Sequence, residues 1–155
     1  MWLEIIKKII FASLVSLVYA LRYELSGFKV LTAVSLGGAI SWLSYQLAIE
    51  AGISLLVANF IAALIMSTYA EIMARIMRMP VTVFLIVAML PLVPGLTIYQ
   101  TMVEAVLGNS TEALNLATEA FAISGALTMG NLTASTLASY LTRTRLGIKK
   151  KRNYE

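Results

Sequence analysis

Apolar residues run along the chain in five long blocks, at about 2–21, 28–47, 53–77, 81–107 and 118–141. Each is close to the ~20 residues that a helix needs to cross a bilayer. Charge is almost absent within them. Between residues 30 and 70 the only charged side chain is Glu50, between 79 and 111 it is Glu104, and between 120 and 142 there is none. Uninterrupted apolar runs of this length predict membrane-spanning helices. The connections are too short for a linker or a soluble domain, so residues 1–142 read as one transmembrane domain and 143–155 as a basic tail. Met79-Pro80 ends the third block, because a residue before proline is pushed out of the helical region, and Gly108-Asn109-Ser110 breaks the chain after the fourth.

Composition sharpens this into an all-α integral membrane protein. Of the 155 residues 59% are hydrophobic and 13% charged, which is about half the ~25% charge of a soluble domain. Cys, His and Asp are all missing. Disulfides, thiolate catalysis, Cys/His metal sites and imidazole proton relays are therefore excluded, and neither an enzyme nor a cofactor is expected. The formal charge of +4 does not point to nucleic acid, since six of the twelve basic residues follow residue 141. Arg143, Arg145, Lys149, Lys150, Lys151 and Arg152 beside an apolar helix read as a cytoplasmic stop signal.

The first block resembles a secretory signal, with Lys7 and Lys8 before an apolar run and Val18-Tyr19-Ala20 as a small-residue cleavage site. Topology argues for a retained span. With five spans and a cytoplasmic C-terminus, Arg22, Lys29, Arg75, Arg78 and the six tail residues lie inside, and only Lys7 and Lys8 lie outside. Cleavage would place all ten on the wrong side. The expected location is the cell (inner) membrane, with the N-terminus outside. The charge-free part of the first block, 9–21, is short enough that a tilted or interfacial helix is an alternative.

The fourth block carries the sharpest signal, Pro91-Leu-Val-Pro94-Gly95. Each proline removes a backbone donor and clashes with the carbonyl four residues earlier, and Gly95 adds freedom. A break here frees carbonyls on the first half-helix and N–H groups on the second. The positive end of such a half-helix suits an anionic substrate group. Pro91, Pro94, Gly95, Leu96, Thr97 and Tyr99 are accordingly candidate substrate-binding positions; a proline kink repaired by its neighbours is the alternative. Thr97, Thr101 and Glu104 share one face, where Glu104 reads as solvated.

The fifth block has a polar stripe at Ser124, Thr128, Asn131 and Ser135. Helix packing explains such a stripe as well as transport does. Asn131 must find a partner in hydrocarbon and is the leading candidate there, with Thr128 beside it. In the third block Glu71 and Arg75 form an i,i+4 pair near the cytoplasmic end. They are either a solvated pair or a gate or coupling site. Asn59 and Gln46 are weaker candidates, and Ala33, Gly37 and Ser41 form a packing ridge.

Over Met79–Met102 the pattern M-P-x-T-V-F…P-L-V-P-G-x-x-I-Y-x-x-M resembles the small membrane subunit of the threonine/serine exporter family, with Gly37-Gly38 and Glu71…Arg75 in support. The resemblance covers nearly the whole chain. It implies half of an inverted-repeat carrier for small carboxylate-bearing substrates, either hydroxy amino acids or dicarboxylates. It also implies a partner, a larger five-span subunit; a homo-oligomer is the other possibility. Pro91, Pro94, Gly95 and Tyr99 are the positions that carry over. The expected function is therefore a subunit of a secondary transporter exporting small amino acids or organic acids, and the alternative is a non-transporting scaffold subunit.

Overall fold

A computed structural model describes residues 2–25 and 27–152, with side chains over 5–25 and 27–140. Among the described residues all regular structure is helical: α1 (Trp2–Arg22), α2 (Phe28–Glu50), α3 (Leu55–Met77), α4 (Val81–Met89), a 3-10 turn at Leu90–Leu92, α5 (Gly95–Val106) and α6 (Ser110–Arg152). The helices end where the local chemistry requires. Gly52 (φ 78°) and Gly108 (φ 85°) take left-handed conformations that close α2 and α5. Arg78 takes the same conformation (φ 54°) after α3, where Pro80 forbids continuation.

Among the described residues two helices, α2 and α3, are individually long and apolar enough to cross a membrane, and α4 with α5 makes a third if the bent pair is one span. The fifth block is helical from Ser110, eight residues before its apolar stretch, and continues to Arg152. Hydropathy marks where a helix can sit in hydrocarbon, whereas the helix itself starts at a stop and a cap, here Gly108 and Asn109. The Asn109 carbonyl accepts the Ala113 N–H at 3.0 Å.

Packing sorts the helices into two groups. The hairpin of α1 and α2 holds α4 against α2 and α3, and the hairpin of α5 and α6 leans on α3. The larger core gathers Ala20, Val30, Ala33, Val34, Met66, Ala70, Ala74, Phe84, Val87 and Ala88; a smaller one joins Ala62, Ala63, Leu92, Ile123 and Leu127. Alanine makes up half of the larger core and two of the five residues of the smaller. Small side chains let backbones approach closely, which drives helix association where hydrocarbon surrounds the protein. Gly130 is the extreme case: a Cβ there would lie 2.6 Å from the Phe60 carbonyl oxygen and 2.8 Å from Ala63 Cβ.

Candidate functional site

The two prolines divide the fourth block into α4 and α5, which meet at 52°. Pro91 enters the 3-10 turn, Val93 is extended (φ −62°, ψ 131°), and α5 starts at Gly95. The two sides of this break are treated differently. The amide at position 91 of a regular helix would have bonded the Val87 carbonyl, and Pro91 has none. Instead the Ser16 hydroxyl of α1 donates to that carbonyl at 3.2 Å. Beside it, the Ser41 hydroxyl of α2 donates to the Ala88 carbonyl at 3.0 Å and to Gly38 at 2.8 Å. Both serines are fully buried. Gly37 and Gly38 make this approach possible. A Cβ on Gly37 would lie 2.8 Å from Ala88 Cβ, and one on Gly38 would overlap the Ser16 hydroxyl.

Among the described residues no side chain repairs the other side or caps α5. The Gly95 N–H turns back to the Val93 carbonyl at 2.7 Å, and the Ile98 N–H reaches Pro94 at 3.0 Å. The N–H groups of Leu96 and Thr97 have no partner among the described residues. These are the groups that carry the positive end of the helix dipole. The break thus exposes two N–H groups at the start of α5, while the Val87 and Ala88 carbonyls at the end of α4 are taken by hydroxyls.

A cavity of about 360 Å³ opens at this point. It falls at the small end of the ~300–1,000 Å³ range of ligand pockets. Pro91, Leu92, Pro94, Leu96 and Thr97 form one wall, and Trp42, Tyr45, Asn59 and Glu119 stand around it. The Trp42 and Tyr45 rings are 5.4 Å apart at 47°. Trp42 Nε1 is buried and unbonded. Asn59 is only 3% exposed; its Nδ2 donates to the Leu55 carbonyl at 2.9 Å, leaving Oδ1 unpaired.

The other candidates lie elsewhere. Gly95 sits on the exposed start of α5 with open space around it, and Tyr99, 64% exposed, does not line the cavity. Thr128 donates to the Ser124 carbonyl of its own helix at 2.8 Å. Asn131 is held in the seam between α3 and α6: its Oδ1 accepts the Ser67 hydroxyl and its Nδ2 donates to Met89 Sδ at 3.0 Å. That amide ties three helices together at the last residue of α4. Glu71 and Arg75 pair at 3.5 Å, and Arg75 also donates to the Ala138 carbonyl at 3.2 Å.

Against this geometry stands one family comparison. The sequence profile described as Threonine/Serine exporter, ThrE, matches residues 8–137, which include the break and all or most of each helix around it. The chain belongs to the threonine/serine exporter family. No curated protein and no solved structure matches it. Membership of an exporter family, together with the apolar helices, makes this a membrane transport protein and points away from catalysis.

The cavity of this exporter-family chain contains three residues that sequence reasoning missed: Trp42, Tyr45 and Glu119. The first two stand three apart on one face of α2, a spacing open to inspection, but aromatic residues near a span end usually mark the membrane interface. Glu119 lies at the start of the fifth apolar block and passes for a solvated end. Only the lean of α6 on α3 brings it beside the break.

Proposed function

We propose that the chain is the membrane subunit of a secondary transporter that exports small amino acids of the threonine/serine type, holding the substrate carboxylate at the start of α5. The unrepaired N–H groups of Leu96 and Thr97, set beside carbonyls that Ser16 and Ser41 do repair, carry this reading. Open N–H groups at the start of a half-helix suit an anionic substrate group. In the full reading α1 and α6 join α2, α3 and the bent pair as five spans in the cell membrane, with the N-terminus outside and the basic tail inside. α5 buries none of its residues within the chain. A larger five-span subunit or a second copy closes the open side of the cavity.

Leu96→Pro tests the reading. Proline is tolerated in a first helical turn, and the preceding glycine absorbs its steric demand, so this substitution chiefly deletes one of the two free donors. Leu96→Ala keeps the donor and alters a side chain that is 70% exposed. A hydrogen bond to a charged group contributes ~1.5–3 kcal/mol, so threonine efflux from preloaded cells should fall about tenfold or more in the proline variant. The alanine variant, which loses the same side chain but keeps the donor, should fall clearly less, and the difference between the two measures the donor. Equal efflux in both variants at equal membrane levels would exclude the carboxylate site.

A further inference from the structure

The cavity also has a negative pole that the carboxylate site does not use. Glu119 lines it from α6, and no hydrogen bond or ion pair engages its carboxylate among the described residues. It lies close enough to Tyr45 for its charge to act on that ring's hydroxyl. The paired rings of Trp42 and Tyr45 line the same cavity. Glu119 is exposed at the cavity mouth, and aromatic faces beside a carboxylate attract cations. Carboxylate and rings together form a place for an ammonium group. No Lys or Arg lines the cavity.

We infer that Glu119 is a specificity-determining residue that receives the α-ammonium of the substrate, so that the cavity selects zwitterionic amino acids over dicarboxylates. This rests on the cavity being the substrate site. A zwitterion finds both poles, its carboxylate at the α5 donors and its ammonium at Glu119. A dicarboxylate satisfies only the first and sets its second charge against Glu119 with no cation to offset it. Like charges sharing one cavity repel, so the discrimination includes a penalty against the wrong substrate as well as attraction for the right one.

The test is transport in membrane vesicles from cells that express the full chain at its own locus, with threonine, 3-hydroxybutyrate (threonine without its ammonium) and succinate as substrates. Glu119→Gln keeps the size and an acceptor oxygen but removes the charge. It should raise the KM for threonine about tenfold, the difference between a charge-assisted and a neutral hydrogen bond. Its kcat should change little, and transport of 3-hydroxybutyrate and succinate should hold or rise. Glu119→Asp should recover part of the threonine KM. An unchanged threonine KM, or an equal loss for all three substrates, overturns the inference. Leu96→Pro in the same vesicles separates the two readings. If it abolishes transport while Glu119→Gln does nothing, the carboxylate site stands and Glu119 is excluded. A selectivity shift with Glu119→Gln beside an unaffected Leu96→Pro upholds Glu119 and removes the α5 pole. Wild-type vesicles that move no threonine overturn both.

Discussion

If Ser16 supplies the donor that Pro91 lacks, the two residues must be energetically coupled although they stand 75 positions apart in the sequence. Ser16→Ala leaves the Val87 carbonyl buried and unpaired, because Ser16 Oγ is its replacement partner at 3.2 Å. An unsatisfied buried acceptor costs ~1–3 kcal/mol in water-soluble proteins, whereas hydrogen bonds between membrane helices average nearer ~0.6 and reach about 1.7. A loss of about 1–1.5 kcal/mol is expected for Ser16→Ala. Pro91→Ala restores an amide that can pair with Val87 directly, so in that background Ser16→Ala should cost under about 0.5 kcal/mol. The coupling, about 1 kcal/mol, is read from a double-mutant cycle on the full chain in mixed micelles, with unfolding driven by a denaturing detergent. Equal costs of Ser16→Ala in both backgrounds would refute the idea that a neighbour's hydroxyl completes the broken helix.

Two further outcomes follow from the same packing. Gly130→Ala sets a methyl group against the Phe60 carbonyl, which is backbone and cannot yield, so α3 and α6 must separate. The expected loss is about 1–3 kcal/mol in the same unfolding measurement, and a neutral substitution would show the seam to be looser than drawn. Asn131→Leu removes the bonds to Ser67 and Met89 but touches nothing in the cavity. Stability should drop by about 1 kcal/mol while the threonine KM stays within about twofold. A KM raised tenfold would return Asn131 to the binding site.

The break itself was legible because Pro91, Pro94 and Gly95 act on their own backbone, without any distant partner. Their consequence was not. The two sides of the break are treated differently: Ser16 and Ser41 take the Val87 and Ala88 carbonyls, whereas no side chain among the described residues caps the start of α5. Ser16 looked unremarkable within an apolar run, and Ala33, Gly37 and Ser41 read as a packing ridge. Asn131 shows the opposite limit. Its need for a partner was clear from its place in an apolar block, but an amide is satisfied equally well by a substrate or by a serine and a methionine on neighbouring helices.

By itself the sequence determined the class, since so few charges cannot cover a water-exposed surface. It also determined the positions of the helix blocks and the interruption of the fourth. These are consequences of hydropathy and of proline stereochemistry, which act locally along the chain. Tertiary structure decided which polar groups face the cavity and which are used up in packing. Trp42 and Tyr45 on α2, Asn59 on α3, Leu96 and Thr97 on α5 and Glu119 on α6 come together only through the way the two hairpins lean on α3. Nothing in their spacing along the chain announces that meeting, because side-chain contacts between helices depend on crossing geometry, which small residues such as Gly130 permit but do not signal.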